Sequence, residues 1–441
     1  MAKDWLKRLF TFERPSSPPS IEPGLYHAMK EAEGIYTRFH LRVEGDGSGM
    51  LIANATAAAR LSPTGVVIAK GLLEGRSEAE ILDSLQRRFS GATETMMWDD
   101  VTRVQSLIQQ IVEPGDAYPV FNLEDASVSP RSARLIAPLQ AAVPLADSDR
   151  LVPIIDRLWD VGIPHATFWV PPSPDPEVLV RAVERAEDLG MIAGVRGRAT
   201  DLMGADGSDA LLQDLWQAGL DHVTLIYASD DVDLHEALCG SGDHAAALEV
   251  LDWLEAEQIS AVAEVPLLHP TMETLYATIE TLLDRGADNL SFVAFASADP
   301  EVAEETGAFK PDAMVQVATT VEETADRSRA RFMWNPPVEV DPALSIAAHV
   351  RAGPRCSGDV AIRVEPDGTV IPPRGPALSA GNLLNDAWDD IWNHEVFRIY
   401  REQVEAPTRC DICPGLTICA AACPREPEGW ARLPASEPET R

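Results

Sequence analysis

Leu135-Ile-Ala-Pro-Leu-Gln-Ala-Ala-Val-Pro-Leu145 is an apolar run of strand character, and Asp149–Asp160 behind it repeats apolar residues at helical spacing. The alternation continues downstream. Strand-like runs read as Ala166–Val170, Ile192–Val195, Val223–Tyr227, Ser260–Leu268 and Leu290–Ala296. Amphipathic helices fall between them, among them Pro176–Leu189, Ala245–Glu257 and Met272–Arg285. Gly162, Gly190, Gly219 and Gly286 stand where helices should stop, because glycine accepts the left-handed conformation that ends a helix. Strands that alternate with helices pair in parallel, since each crossover helix returns the chain to the same end of the sheet. About six such units over residues 130–340 predict an α/β domain. The pattern alone leaves a partial barrel and an open doubly wound sheet both possible.

Residues 24–115 predict a separate small α+β domain. Tyr36–Val43 alternates as a strand, Gly45-Asp-Gly47 turns the chain, and Met50–Ala53 returns it. A helical stretch after Leu61-Ser-Pro-Thr-Gly65 runs to Leu73 and stops at Gly75. Ser77 with Glu80 three residues on forms a capping box for a helix through Ile81, Leu82, Leu85 and Phe89. A last amphipathic helix covers about Asp99–Ile111. Ahead of this domain, residues 1–14 combine Trp5, Leu6, Leu9 and Phe10 with Lys3, Lys7, Arg8 and Arg14, a pattern that suits a membrane surface, a partner or docking on the protein itself. Pro15-Ser-Ser-Pro-Pro-Ser-Ile-Glu-Pro23 is a linker by composition, so residues 1–23 stand apart.

The charge balance is 36 Lys and Arg against 70 Asp and Glu, a net of −34. Such a chain repels nucleic acid and anionic membranes outside local basic patches. No apolar run reaches the 18 residues of a membrane span, and Met1–Phe12 lacks the apolar core of a secretory signal. The cytoplasm is the expected compartment.

Five of the six cysteines lie beyond residue 355. Cys410-x2-Cys413-x5-Cys419-x3-Cys423 places four thiols within fourteen residues. Soft thiolates at this spacing converge on one ion or cluster, and the donor chemistry suits zinc as well as iron and sulfide. Cys356 stands upstream, before the turn Glu365-Pro-Asp-Gly368. Cys239 has no cysteine at ligand spacing and reads as structural. His394 is a further conceivable ligand, although a surface helix position suits it better.

The stretch Cys356-Ser-Gly-Asp-Val-Ala-Ile-Arg-Val-Glu-Pro-Asp-Gly-Thr-Val-Ile-Pro372, with Gly381-Asn-Leu383, Asp390-Ile-Trp392, Phe397 and the Cys410–Cys423 run, resembles a SPASM domain. Such domains extend radical SAM enzymes that modify peptides and proteins. The resemblance implies an iron–sulfur module over residues 341–430, with a polar tail at 431–441. The family holds up to two [4Fe–4S] clusters on seven cysteines. Five match here, as Cys356, Cys410, Cys413, Cys419 and Cys423. One family position is Pro373, and no cysteine follows Cys423. By the family's assignment Cys356 and Cys423 serve one cluster, and Cys410, Cys413 and Cys419 the other, each short of a ligand. One [4Fe–4S] cluster, two, a zinc site or a decayed site all stay open.

Element order over 130–340 resembles a radical SAM barrel, which implies an open (β/α)6 partial barrel. Ala137–Val143 looks like its first strand, and His235-Glu-Ala-Leu-Cys-Gly240 resembles the segment after the fourth. The family's Cys-x3-Cys-x2-Cys loop is missing. No cysteine occurs between residues 1 and 238, and Val170-Pro-Pro-Ser-Pro174 replaces the Gly-Gly-Glu-Pro that meets the methionine amine. S-adenosylmethionine is therefore not an expected cofactor. Residues 24–115 resemble the PqqD-type, winged-helix-like domain that binds leader peptides by strand addition.

The readings together predict a non-catalytic peptide-binding, scaffold or electron-transfer component of a maturation system, partnered by a precursor peptide or protein and a catalytic maturation enzyme. Two alternatives are a zinc-clamped adaptor and an enzyme whose repurposed barrel binds a small molecule near Arg196, Arg198, Asp230 and Asp231.

Overall fold

The computed structural model describes residues 21–397 except 33–34, 54–56, 90–92, 113–134, 147–148, 205–206, 288, 329, 336, 356–360 and 373–376. The chain divides into two compact units that part between residues 115 and 116.

The first unit is a four-stranded sheet followed by three helices. β1 (Gly24–Ala32), β2 (Ile35–Val43), β3 (Gly49–Ala53) and β4 (Ala57–Leu61) lie in sequence order. β1 pairs antiparallel with β2, and β2 with β3. The β2–β3 turn works as the sequence predicts. Asp46 Oδ1 accepts from the Ser48 N–H, and Gly47 takes a φ of +83° that a side chain would oppose. Ser62 caps α1 (Pro63–Leu73) by accepting from the Gly65 N–H. Ser77 and Glu80 form the expected capping box on α2 (Glu78–Arg88), and α3 (Glu94–Val112) completes the layer. Phe39, Leu41, Val43, Leu51, Ile68, Leu85 and Val101 are all buried in this unit. β1 escapes the sequence reading because its residues are exposed or half-buried and do not alternate.

In the second unit the six expected strands all form, as β5 (Gln140–Pro144), β6 (His165–Trp169), β7 (Ile192–Gly197), β8 (His222–Ile226), β9 (Ser260–Leu267) and β10 (Asn289–Ala296). The first is shorter than its apolar run, with Leu135–Leu139 outside it. The strands pair in parallel in sequence order, each with its crossover helices, as an open (β/α)6 partial barrel. β11 (Arg331–Trp334), which the sequence does not reveal, pairs parallel to β10. On the opposite edge β13 (Ala361–Val364) pairs parallel to β5. Between them, β12 (Val338–Glu339) pairs parallel to the end of β10. β14 (Thr369–Ile371) and β15 (Gly381–Asn382) extend the sheet antiparallel beyond β13. The first strands of the C-terminal module are thus continuous with the barrel sheet.

Candidate functional site

The helix-facing side of the barrel strands is apolar, with Val143, Phe168, Val195, Leu225, Val265 and Phe292 all in one core cluster. The opposite side is buried as deeply and carries polar layers beside an apolar cluster of Ile226, Val293 and Phe295 with Val350. Its upper layer centres on Arg196, near the C-terminal end of β7. Its guanidinium makes a two-bond pair with Glu264 of β9, Nε to Oε2 at 2.9 Å and Nη2 to Oε1 at 2.6 Å. Both side chains are about 95% buried, at 4% and 5% exposure. Such a pair balances its desolvation only when the remaining donors are satisfied. Here Nη1 donates to the Arg351 carbonyl at 2.9 Å and Nη2 to that of Val350 at 3.3 Å, which with the two bonds to Glu264 engages four of the five N–H groups. The Trp169 ring centroid lies 4.4 Å from the guanidinium carbon.

Those carbonyls end α4 (Ile346–Ala352), a helix that Ser345 caps by accepting from the Ala348 N–H. Gly353 follows with a φ of +62°, and a Cβ there would lie 2.1 Å from Arg196 Nη2. Glycine therefore both ends this helix and lets it close on the barrel. The space left beneath it, lined by Gln140, Thr167, Thr224 and Ser291 among others, is about 20 Å³. That is room for about one water molecule.

The lower layer is a histidine pair. His165 Nε2 and His222 Nε2 are 2.7 Å apart, and both rings are buried. Gly194 of the intervening strand β7 makes the contact possible, since a Cβ there would sit 2.0 Å from His222 Nε2. Burial drives the pKa of His165 down to about 3. Burial, then the neighbouring His165, holds His222 well below the usual imidazole range. Both rings are neutral at pH 7, with one Nε2–H donating to the other.

A third polar cluster lies beside the barrel, around α5 (Val232–Cys239). His235, Cys239 and Asp243 are buried, with one ligand-type atom each within 4.8 Å of the others. His235 Nδ1 accepts from the Ala228 N–H at 3.3 Å, so its proton sits on Nε2, 3.1 Å from Asp243 Oδ2. Asp243 Oδ1 accepts from the Thr200 N–H and hydroxyl. Burial pushes the Cys239 thiol up, away from the thiolate. Cys239 thus lies within a buried hydrogen-bonded network of His235, Asp243 and Thr200.

The charged strand-end residues have internal partners too. Arg198 makes two bonds to Asp201 and a third to the Cys239 carbonyl. Asp230 accepts from the Thr281 hydroxyl, and Asp231 caps α5 by accepting from the Leu234 N–H. These bonds build the rim. Neither pair was legible in the sequence: Glu264 alone interrupts a strand-like run, while His165, Arg196 and His222 stand just outside theirs.

Cys356, Cys410, Cys413, Cys419 and Cys423 lie outside the described residues. The framework leading to them is described. The Glu365–Gly368 turn closes β13 onto β14, with the Gly368 N–H donating to the Glu365 carbonyl at 2.8 Å. Arg355 Nη1 donates to the Pro372 carbonyl at 3.0 Å, so the residues just before Cys356 and Pro373 are held together. A short helix, α6 (Trp388–Trp392), fixes the module to the barrel. Trp388 and Trp392 donate their indole N–H to the carbonyls of Ile136 and Leu135, at 2.9 and 2.8 Å. His394 is exposed, and its Nδ1 accepts from the Val396 N–H. Five thiol side chains are the soft donor set that iron–sulfur clusters take, so the residues fit such a group in kind.

Residues 356–414 match the SPASM family model, described as an iron–sulfur cluster-binding domain. The structure resembles Streptococcus suis SuiB bound to S-adenosylmethionine, with a TM-score of 0.53 at 12% identity, covering 92% of this chain and 99% of that one. A second SuiB crystal structure aligns over the same shares with a TM-score of 0.51 at 13% identity. At that identity the likeness is one of fold. No curated protein matches the chain in sequence. The C-terminal module is thus a SPASM domain, and the chain has the fold of the radical SAM/SPASM family.

Proposed function

We infer that this chain, a radical SAM/SPASM-family fold carrying an iron–sulfur-binding module, acts in peptide or protein maturation without cleaving S-adenosylmethionine. The observation that carries the reading is the filled barrel. Arg196, Glu264 and the carbonyls of α4 occupy the strand ends, and among the described residues the cavity that they line is about 20 Å³, where pockets for small-molecule ligands take roughly 300–1,000 Å³. The missing cysteine triad agrees with it. The residues present therefore do not fit S-adenosylmethionine or its cluster. The same filling disfavours a repurposed small-molecule barrel.

In this reading Cys356, Cys410, Cys413, Cys419 and Cys423 hold one [4Fe–4S] cluster, which supplies electron transfer or a clamp on the fold. A precursor peptide pairs with the first unit, as the PqqD-type resemblance suggests. Its sheet ends in β1 and β4, and an open strand edge offers backbone donors and acceptors to an extended chain. A catalytic maturation enzyme supplies the chemistry, in the cytoplasm.

Iron, sulfide and zinc per chain, measured after anaerobic purification beside a Cys413→Ser variant, test this. About four irons and four sulfides, lost in the variant, are the expected result, with no turnover of S-adenosylmethionine under reducing conditions. Turnover would overturn the reading of the barrel. About one zinc and no iron would replace the cluster with a structural clamp.

A further inference from the structure

A groove in the first unit fits neither the barrel nor the sheet edge. It lies between α2 and α3, holds about 680 Å³, and has Leu82 and Trp98 on its apolar side. Trp98 is left 39% exposed there, an unusual position for an indole on a small folded unit. Glu78, Asp83 and Glu94 surround it, and no Lys or Arg is among the described residues that line it. The first two have partners, Gln105 for Glu78 and Arg87 for Asp83, but the lining itself remains acidic and apolar.

We propose that this groove docks the chain's own residues 1–14. The segment is its chemical complement. Lys3, Lys7, Arg8 and Arg14 outnumber Asp4 and Glu13 in a chain whose net charge is −34, and Trp5, Leu6, Leu9 and Phe10 supply apolar surface for Leu82 and Trp98. The tether restricts the segment to the neighbourhood of β1. β1 is fixed to the end of α1: Lys30 Nζ donates to the Leu72 carbonyl at 2.8 Å, and Lys70 Nζ lies 4.5 Å from the Tyr26 ring centroid. Ser77, on the groove's rim, follows Leu72 by five residues, at most about 17 Å of chain. The seven residue steps from Ile21 back to Arg14 span at most about 25 Å. A short tether raises the segment's effective concentration at any site within its reach.

Trypsin reads the docking in the full-length protein. Cleavage after Lys7 and Arg8, followed by intact mass, should be slow in the native chain. It should be about tenfold faster in a Glu78→Gln, Asp83→Asn, Glu94→Gln variant, because exposed charge pairs are individually weak and only their sum is felt. Salt at 0.5 M should bring the native rate toward the variant's. A Trp5→Ser, Phe10→Ser variant should match that acceleration while leaving the groove's fold untouched. Equal rates in the native chain and both variants overturn the proposal. So does protection that appears only on adding phosphatidylglycerol vesicles and is equal in all three, which would assign the segment to a lipid surface.

Discussion

The two faces of the barrel sheet are equally buried, and the concave one holds charged and imidazole pairs beside its apolar Ile226, Val293 and Phe295. Toward the helices stand Val143, Phe168, Val195, Leu225 and Phe292, held by area removed from water. Toward the concave side stand His165, Arg196, His222 and Glu264, held by pairing. An apolar face tolerates approximate fits, since its attraction has no direction. A polar interior does not, because each group that loses its partner carries its full desolvation cost. The concave face therefore depends on particular pairs and on the glycines that make room for them.

The largest effects should come from breaking each face where it is densest. Glu264→Ala leaves Arg196 charged and buried, and should lower the unfolding free energy by about 3–5 kcal/mol. Phe168→Ala should cost a similar 3–5 kcal/mol through its cavity. The faces then separate on rescue. An Arg196→Met, Glu264→Leu double variant should recover most of the loss in a urea titration, because no unpaired charge remains. If the double variant is as unstable as Glu264→Ala, the pair is doing more than satisfying itself.

A smaller effect should follow at Gly194. A methyl group there meets the His222 ring, so Gly194→Ala should cost about 1–3 kcal/mol by overpacking. Most of that should vanish on a His222→Ala background, giving a coupling that a double-mutant cycle resolves. Simple additivity would mean that the ring moves aside freely.

A change of pH reaches the concave face without any substitution. Both folded imidazoles titrate below their unfolded counterparts, near 6.5, and His165 does so at about 3. Between those values the unfolded chain binds protons that the folded one refuses. Stability is thus complete above pH 6.5 and falls as pH drops toward 3, by about 1.4 kcal/mol per pH unit for each histidine. Melting curves at pH 7, 6 and 5 should show this slope, and a His165→Gln, His222→Gln variant should flatten it. The apolar face contributes nothing to the slope.

Much of the architecture was legible in the sequence. The six barrel strands, the capping box at Ser77 and Glu80 and the turn at Gly47 follow from local periodicity and backbone preference, which a short stretch of chain carries within itself. β1 and β11 were not legible, since an exposed edge strand of nine residues and a four-residue strand leave no usable period. The interior pairs were hidden for a different reason. Arg196 and Glu264 are 68 residues apart, and His165 and His222 are 57 apart, with no local feature linking either pair.

The sequence by itself determined the order of strands and helices, the SPASM pattern of the C-terminal module and the loss of the cysteine triad, because each is written in neighbouring residues. Only the tertiary structure decided which side chains meet inside the barrel. Strand order, curvature and the closing helix at Val350 and Arg351 bring distant charges to one point, where low dielectric makes their pairing compulsory.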